Sequence, residues 1–318
     1  MRVVVKRLVA WTGAVATLVG GAGCSRGTNE APAPSGDASP AAASPSASGA
    51  PSSSAVAATD VDASDRSPIP KELVEAVLNP QHLPVYTGPT GSVEGTILVI
   101  GPPAPDVKID TKQCPAALDT YGKLFREGTP AAPNGPRPLG DTVVIAVGYA
   151  GYYIPEHEQV KSVTITPNCA YPARTITMTF GQRLEISNQS KFPFAPTIAN
   201  ETSPAIMMAA PLGMGDPIRL YPSRPGHQDM RDIMQPYVDQ DLYVLRYPLH
   251  TVTDVYGHYR IDGVPVGKMN VRALHPTVAS EAQHPVDIVA NVVAKLDLTL
   301  EYAPKARGDA GAHELILR

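Results

Sequence analysis

Tryptophan is almost missing from this 318-residue chain: the only one, Trp11, lies near the N-terminus, and aromatic bulk elsewhere rests on 13 Tyr and 4 Phe. Cysteine is scarce, with Cys24, Cys114 and Cys169 and no Cys-x-x-Cys pair, so a thioredoxin-type redox motif is excluded. Positive charge is not in excess. With 26 Lys and Arg against 30 Asp and Glu the net charge is −4, which argues against a nucleic-acid partner, a basic membrane patch or a polyanionic ligand. After the N-terminal leader, no segment approaches the roughly 18 uninterrupted apolar residues of a membrane-spanning helix. A Gly-x-Ser-x-Gly elbow, a His-Glu-x-x-His helix and a phosphate-cradling loop are also absent. Residues 88–95 are glycine-rich but run into a strand pattern and read as a turn.

The leader itself is distinctive. Arg2, Lys6 and Arg7 precede an apolar stretch over 8–19, and small residues follow up to Ala22 and Gly23, so residues 1–23 read as a cleavable export signal. With Cys24 next, the segment resembles a bacterial lipoprotein signal. That resemblance implies lipidation of Cys24 and a membrane as partner, with the protein in the cell envelope facing the periplasm or the cell surface. Gly21 stands where such signals usually carry Leu, so ordinary cleavage with release is the alternative. Each buried acyl CH₂ contributes about 0.8 kcal/mol, so several chains together give stable anchoring. Residues 24–70 form an Ala/Pro/Ser-rich linker without an aromatic residue, too poor in apolar surface to fold and suited to an extended tether. A short amphipathic helix is expected over 71–78, after Pro70.

Beyond the linker, short β-branched runs among the chain's 34 Pro and 26 Gly predict an all-β fold. Strands are expected at 92–100, 142–149, 161–166, 174–180, 183–188, 242–247, 258–261, 268–274, 286–292 and 295–302. Alternation marks them, as in Arg183-Leu184-Glu185-Ile186-Ser187. Gly181-Gln182 is expected to close a hairpin between the two strands that flank it. If Cys24 carries lipid, Cys114 and Cys169 remain, and in an oxidising compartment they are expected to pair; two separately buried thiols are the alternative.

Four segments in order resemble a group of exported bacterial proteins that join a cupredoxin-like domain to a carboxypeptidase-regulatory-like, or transthyretin-like, β-sandwich, some labelled methylamine-utilisation proteins. They are Gly91-Ser92-Val93-Glu94-Gly95-Thr96-Ile97, Asn168-Cys169-Ala170-Tyr171-Pro172-Ala173-Arg174, Gly181-Gln182 with Arg183 to Asn188, and Thr251-Val252-Thr253-Asp254 followed by Gly263-Val264-Pro265-Val266-Gly267. The resemblance implies a cupredoxin-like Greek-key sandwich at 111–247 and the second sandwich at 248–303. Residues 71–110 would give the helix and a first strand that pairs with the 251–302 region, and 304–318 a tail. Copper-binding members carry Cys, His and Met ligands that suit electron transfer. Here Phe194 stands at the first His position, and Arg231, Met234 and Val238 stand where Cys, His and Met are expected, while Asp232, Ile233 and Pro236 keep the scaffold. The ligands of a type-1 site are missing.

Other residues invite weaker readings. Met207, Met208, Met214, Met230 and Met234 cluster with His227, and thioethers can select Cu(I), although Met is equally a core filler. Glu156-His157-Glu158 could hold a base between carboxylates but reads as a polar turn. His250, His258 and His275 match no short zinc-ligand spacing. Tyr149, Tyr152, Tyr153, Tyr237, Tyr243 and Tyr247 could form a contact face for a sugar or protein, or serve as ordinary strand residues. The expectation is a non-enzymatic envelope lipoprotein with no cofactor, a binding or scaffold module with an envelope protein or carbohydrate as partner. The alternative is a periplasmic copper-binding or electron-transfer protein using the Met-rich stretch.

Overall fold

In the computed structural model, which describes residues 68–199, 201 and 207–304, the chain enters through helix α1 (Lys71–Leu78). Cys24, the leader and the linker lie outside the described residues, as does nearly all of the tail. Sixteen strands follow among the described residues. They are β1 (Thr90–Ile100), β2 (Arg137–Pro138), β3 (Val143–Val147), β4 (Val160–Ile165), β5 (Thr175–Thr179), β6 (Arg183–Asn188), β7 (Pro196–Ile198) and β8 (Ile218–Leu220). The remainder are β9 (Gly226–Asp232), β10 (Asp239–Leu245), β11 (His250–Val252), β12 (His258–Pro265), β13 (Gly267–Leu274), β14 (Glu281–Ile288), β15 (Val293–Lys295) and β16 (Leu298–Glu301). The fold is all-β, and no helix among the described residues is long and apolar enough to cross a membrane.

Two sandwiches share one compact unit. In the first, sheet β4-β6-β8 faces sheet β5-β10-β9-β7, and Ile165, Leu184, Ile186, Met178, Met230 and Leu242 fill the space between. Alternation in β6 sends Leu184 and Ile186 inward, as the sequence predicts. Val74, Val77 and Leu78 of α1 pack against this core. Cys114 and Cys169 are bonded within it, Cα atoms 6.3 Å apart, and tie the segment before β2 to the loop before β5.

In the second sandwich β1 is the organising strand. It pairs antiparallel with β12 and parallel with β15 along its first half, then with β16 and β2 along its second. This sheet faces β11-β3-β13-β14 across a core that includes Val93, Ile97, Tyr259, Val271 and Leu300. Membership of β3 differs from the expected division at residue 247. Although it precedes most of the first sandwich in sequence, it pairs with β11 and β13, and Phe125 and Leu139 also belong to the second core. The reason is in Val143-Val144-Ile145-Ala146-Val147, an unbroken apolar run that suits a strand covered on both faces. Val144 and Ala146 enter the second core, while Val143 and Ile145 meet Tyr243, Leu245 and Leu274 in a third cluster that joins the sandwiches.

The expected hairpin at Gly181-Gln182 is not formed. The turn is real, with Gly181 at φ +97° and Gln182 N–H bonded to Thr179 O at 3.1 Å. It delivers the chain to the opposite sheet, however, because β5 pairs parallel with β10 and β6 pairs with β4 and β8. β5 is buried on both faces, with Ile176 and Met178 towards the first core, and it forms the end of the β5-β10-β9-β7 sheet beside β10. A Cβ on Gly181 would come within 2.6 Å of Val74, so glycine also permits the close approach of α1.

Candidate functional site

A pocket of about 220 Å³ opens where the end of α1, the loop after β3 and the segment after β10 converge. Four tyrosines, Tyr149, Tyr152, Tyr153 and Tyr247, form one side of it, and Val77, Leu78 and Leu83 are among the apolar residues of the rest. The Tyr149 and Tyr152 rings are stacked, centroids 5.5 Å apart and planes 13° apart, and Tyr247 stands edge-on to Tyr149 at 6.4 Å and 88°. Tyr86 leans on Tyr152 at 4.6 Å, and Tyr153 and Arg246 also line the opening. Backbone bonds hold the arrangement: Tyr86 N–H donates to Tyr153 O and Tyr153 N–H to Pro84 O, both at 2.8 Å. Asn79, just after α1, accepts from Leu83 N–H at 2.8 Å and donates to Leu83 O at 3.0 Å, which fixes the turn that brings Tyr86 across.

Chemically the pocket offers flat apolar faces beside hydroxyls and a guanidinium. Burial raises the pKa of Tyr149, Tyr152 and Tyr153 above the ordinary phenol value, so these hydroxyls stay protonated at neutral pH and can both donate and accept. Of the six tyrosines singled out in sequence, the structure gathers Tyr149, Tyr152, Tyr153 and Tyr247. Tyr237 lies in the first core with its hydroxyl donating to Cys169 O at 3.1 Å, and Tyr243 is buried between the sandwiches. Tyr86 escaped the sequence reading because it stands in an irregular segment between α1 and β1; its only signal was the adjacent turn residues.

The position expected for a copper ligand is occupied by apolar and backbone contacts. Phe194 is fully buried and exchanges backbone hydrogen bonds with Ala209. In the loop after β9, Asp232 Oδ1 accepts from Met234 N–H at 2.9 Å and Gln235 N–H at 2.8 Å, and Gln235 Nε2 donates to Pro193 O at 3.1 Å. The loop is thus closed by a carboxylate and an amide. The Met-rich stretch does not converge either. Met230 is fully buried in the first core, whereas His227, three residues earlier on β9, lies on the opposite face. Met208, Met214 and Met234 are exposed, and Met207 packs partly against the core.

The three histidines weighed as zinc ligands occupy separate environments. His250 is half-buried beside Thr179 Oγ1 at 3.3 Å, and that hydroxyl donates to Glu156 Oε2 at 2.6 Å. His275 is buried and its Nδ1 accepts from Thr277 and Val278 N–H. His258 is exposed beside Asp254 at 3.4 Å. Glu156 Oε1 accepts Glu158 N–H at 2.9 Å, and the 156–158 segment runs as irregular chain between β3 and β4, without the turn the sequence suggested.

No family model matches the chain, and no curated protein matches it. Among solved structures, part of the chain is similar to a Cu-containing nitrite reductase from Thermus scotoductus SA-01, at 17% identity over 31% of this chain and 25% of that one, TM-score 0.23. It is also similar to a mutant amicyanin in its reduced state, at 15% identity over 26% of this chain and 79% of that one, TM-score 0.23. A purple cupredoxin from Nitrosopumilus maritimus is similar at 15% identity over 26% of this chain and 97% of that one, TM-score 0.21. The chain spans a quarter of the nitrite reductase, and the chemistry of the pocket rests on this chain's own residues.

Proposed function

We propose that the chain is a non-enzymatic lipoprotein of the cell envelope, anchored to the membrane through lipid on Cys24, and that it is a copper-free, cupredoxin-like binding module whose tyrosine pocket takes a carbohydrate. The observation that carries this reading is the stacked Tyr149–Tyr152 pair, flanked by Tyr247 and backed by Tyr86 against Tyr152, in a pocket of about 220 Å³. Aromatic faces suit the C–H surface of a sugar ring, and the phenolic hydroxyls and Arg246 suit its hydroxyl groups. The pocket is too small for a folded partner and has the dimensions of a site for one sugar unit. Copper binding through the methionines has less support, since Met230 is sunk in the core and His227 faces away from it.

Isothermal titration of soluble envelope oligosaccharides into the purified chain tests the proposal. One saccharide class is expected to bind, and Tyr149→Ala or Tyr152→Ala is expected to weaken it about tenfold or more, the scale of a lost aromatic contact of roughly 1 kcal/mol plus its buried area. Absence of binding across the panel, or binding unchanged in both variants, would refute it.

A further inference from the structure

On the first sandwich, the face of β9 and β10 opposite the core carries His227, Asp229 and Asp241. One imidazole nitrogen and one oxygen from each carboxylate lie within 4.8 Å of one another. The register explains the convergence: in the antiparallel β9–β10 pair, Asp229 is directly opposite Asp241 and His227 is opposite Tyr243. The Tyr243 ring lies over His227, centroids 4.5 Å apart and planes at 23°, and His227 Nε2 is 2.6 Å from Asp241 Oδ1. The imidazole is therefore held in one orientation, aimed between the strands.

Two carboxylates directly opposed across a strand pair repel each other. A basic side chain would normally answer them. Arg231, next on the same face, is instead paired with Asp239 at 2.8 Å, and Arg174 approaches the same Asp239 at 3.7 Å. Among the described residues, His227 alone is paired with this carboxylate couple. Its side chain and that of Asp241 are about a quarter and a fifth exposed, and Asp229 is open to solvent, so an ion can enter from that side.

We propose that His227, Asp229 and Asp241 form a site for a divalent transition-metal ion, with zinc the best match to one imidazole and two carboxylates. Zinc takes such ligands at about 2.0–2.2 Å and tolerates three protein ligands with a fourth position open. Three donor atoms within 4.8 Å reach a common centre by small side-chain rotations, chiefly by parting the His227–Asp241 hydrogen bond. The ion replaces the proton that bond holds and screens the opposed carboxylates. The set is rich in oxygen and lacks sulfur, so it differs in kind from a thioether copper site, and it stands apart from the tyrosine pocket.

Zinc titration of the purified full chain by calorimetry is the test, with thermal melts run alongside. About one equivalent is expected to bind and to raise Tm. Asp229→Asn is the informative variant because Asp229 is exposed: it is expected to raise the Tm of the metal-free protein by removing the repulsion, yet to weaken zinc about tenfold or more, at least the loss a supporting outer-shell residue causes. His227→Ala is expected to abolish the binding, while Met234→Ala leaves it unchanged. No zinc bound by the full chain, or the same affinity in Asp229→Asn and His227→Ala, would overturn the site.

Discussion

At the scale of single residues, His250 and His275 have the clearest consequence in solution. Burial pushes His250 down to about 3, helped by the charge of Lys161, and pushes His275 down to about 4. Both stay neutral in the folded protein while their unfolded counterparts protonate near pH 6.5. Stability from this source is complete above about pH 6.5 and is lost as pH falls towards the folded values, by up to about 1.4 kcal/mol per pH unit for each imidazole. His227 acts in the opposite sense: burial lowers its pKa, but the Asp241 hydrogen bond and the Asp241 and Asp229 charges outweigh this and raise it. Its contribution is present below the unfolded value and fades as pH rises through the folded one. On acidification His250 and His275 thus lose stability while His227 gains it. In melts between pH 7.5 and 4.5, His250→Asn is expected to be less stable at neutral pH but to show a shallower acid slope; an unchanged slope would remove His250 from the account.

At the scale of elements, polar joints outside the strands hold the two sandwiches together. Asp141, in the tight turn before β3, accepts Arg126 through both carboxylate oxygens, and its Oδ1 also accepts Arg174 N–H at 2.8 Å. Arg126 reaches Pro172 O, and Arg174 Nη1 returns to Lys123 O and Leu124 O. The segment that feeds the second core is thereby fastened to the loop before β5. Asp141→Ala leaves the largely covered Arg126 without its carboxylate and is expected to cost about 3 kcal/mol, read as a fall in the denaturant midpoint. Such a joint could not be seen in sequence, since nothing local links Asp141 to Arg126 and Arg174. Strands with alternating or continuous apolar runs, such as β1, β3, β6 and β13, were legible. β9, Gly226-His227-Gln228-Asp229-Met230-Arg231-Asp232, was not, because it has no β-branched residue and its polar face carries the His–Asp set. The tyrosine gathering was half legible: the residue type pointed to a contact face, but which tyrosines meet depends on where β3 and β10 end. The Gly181 turn was recognised correctly and its partner strands were not, because turn chemistry is local and the choice between hairpin and crossover depends on what covers β5.

At the scale of the whole molecule, the third cluster decides whether two sandwiches behave as two domains. Val143, Ile145 and Leu274 from the second sandwich meet Tyr243 and Leu245 from the first, all buried, and Val147 packs against them. The sequence order strengthens the coupling. β1 lies before the first sandwich and β12 to β16 lie after it, so the second core cannot close until the first has brought its ends together. The disulfide, spanning 55 residues, shortens that search by joining 114 to 169 on the first side. The two cores are therefore expected to unfold in one transition. Leu245→Ala provides the test: it removes buried surface only at the junction, with an expected cost of about 2–5 kcal/mol. In a coupled molecule that loss appears equally in amide-exchange protection of β6 and of β1, though neither strand contributes a residue to the cluster. If protection falls in one core and holds in the other, the sandwiches are separate folding units and the shared cluster is only a docking surface.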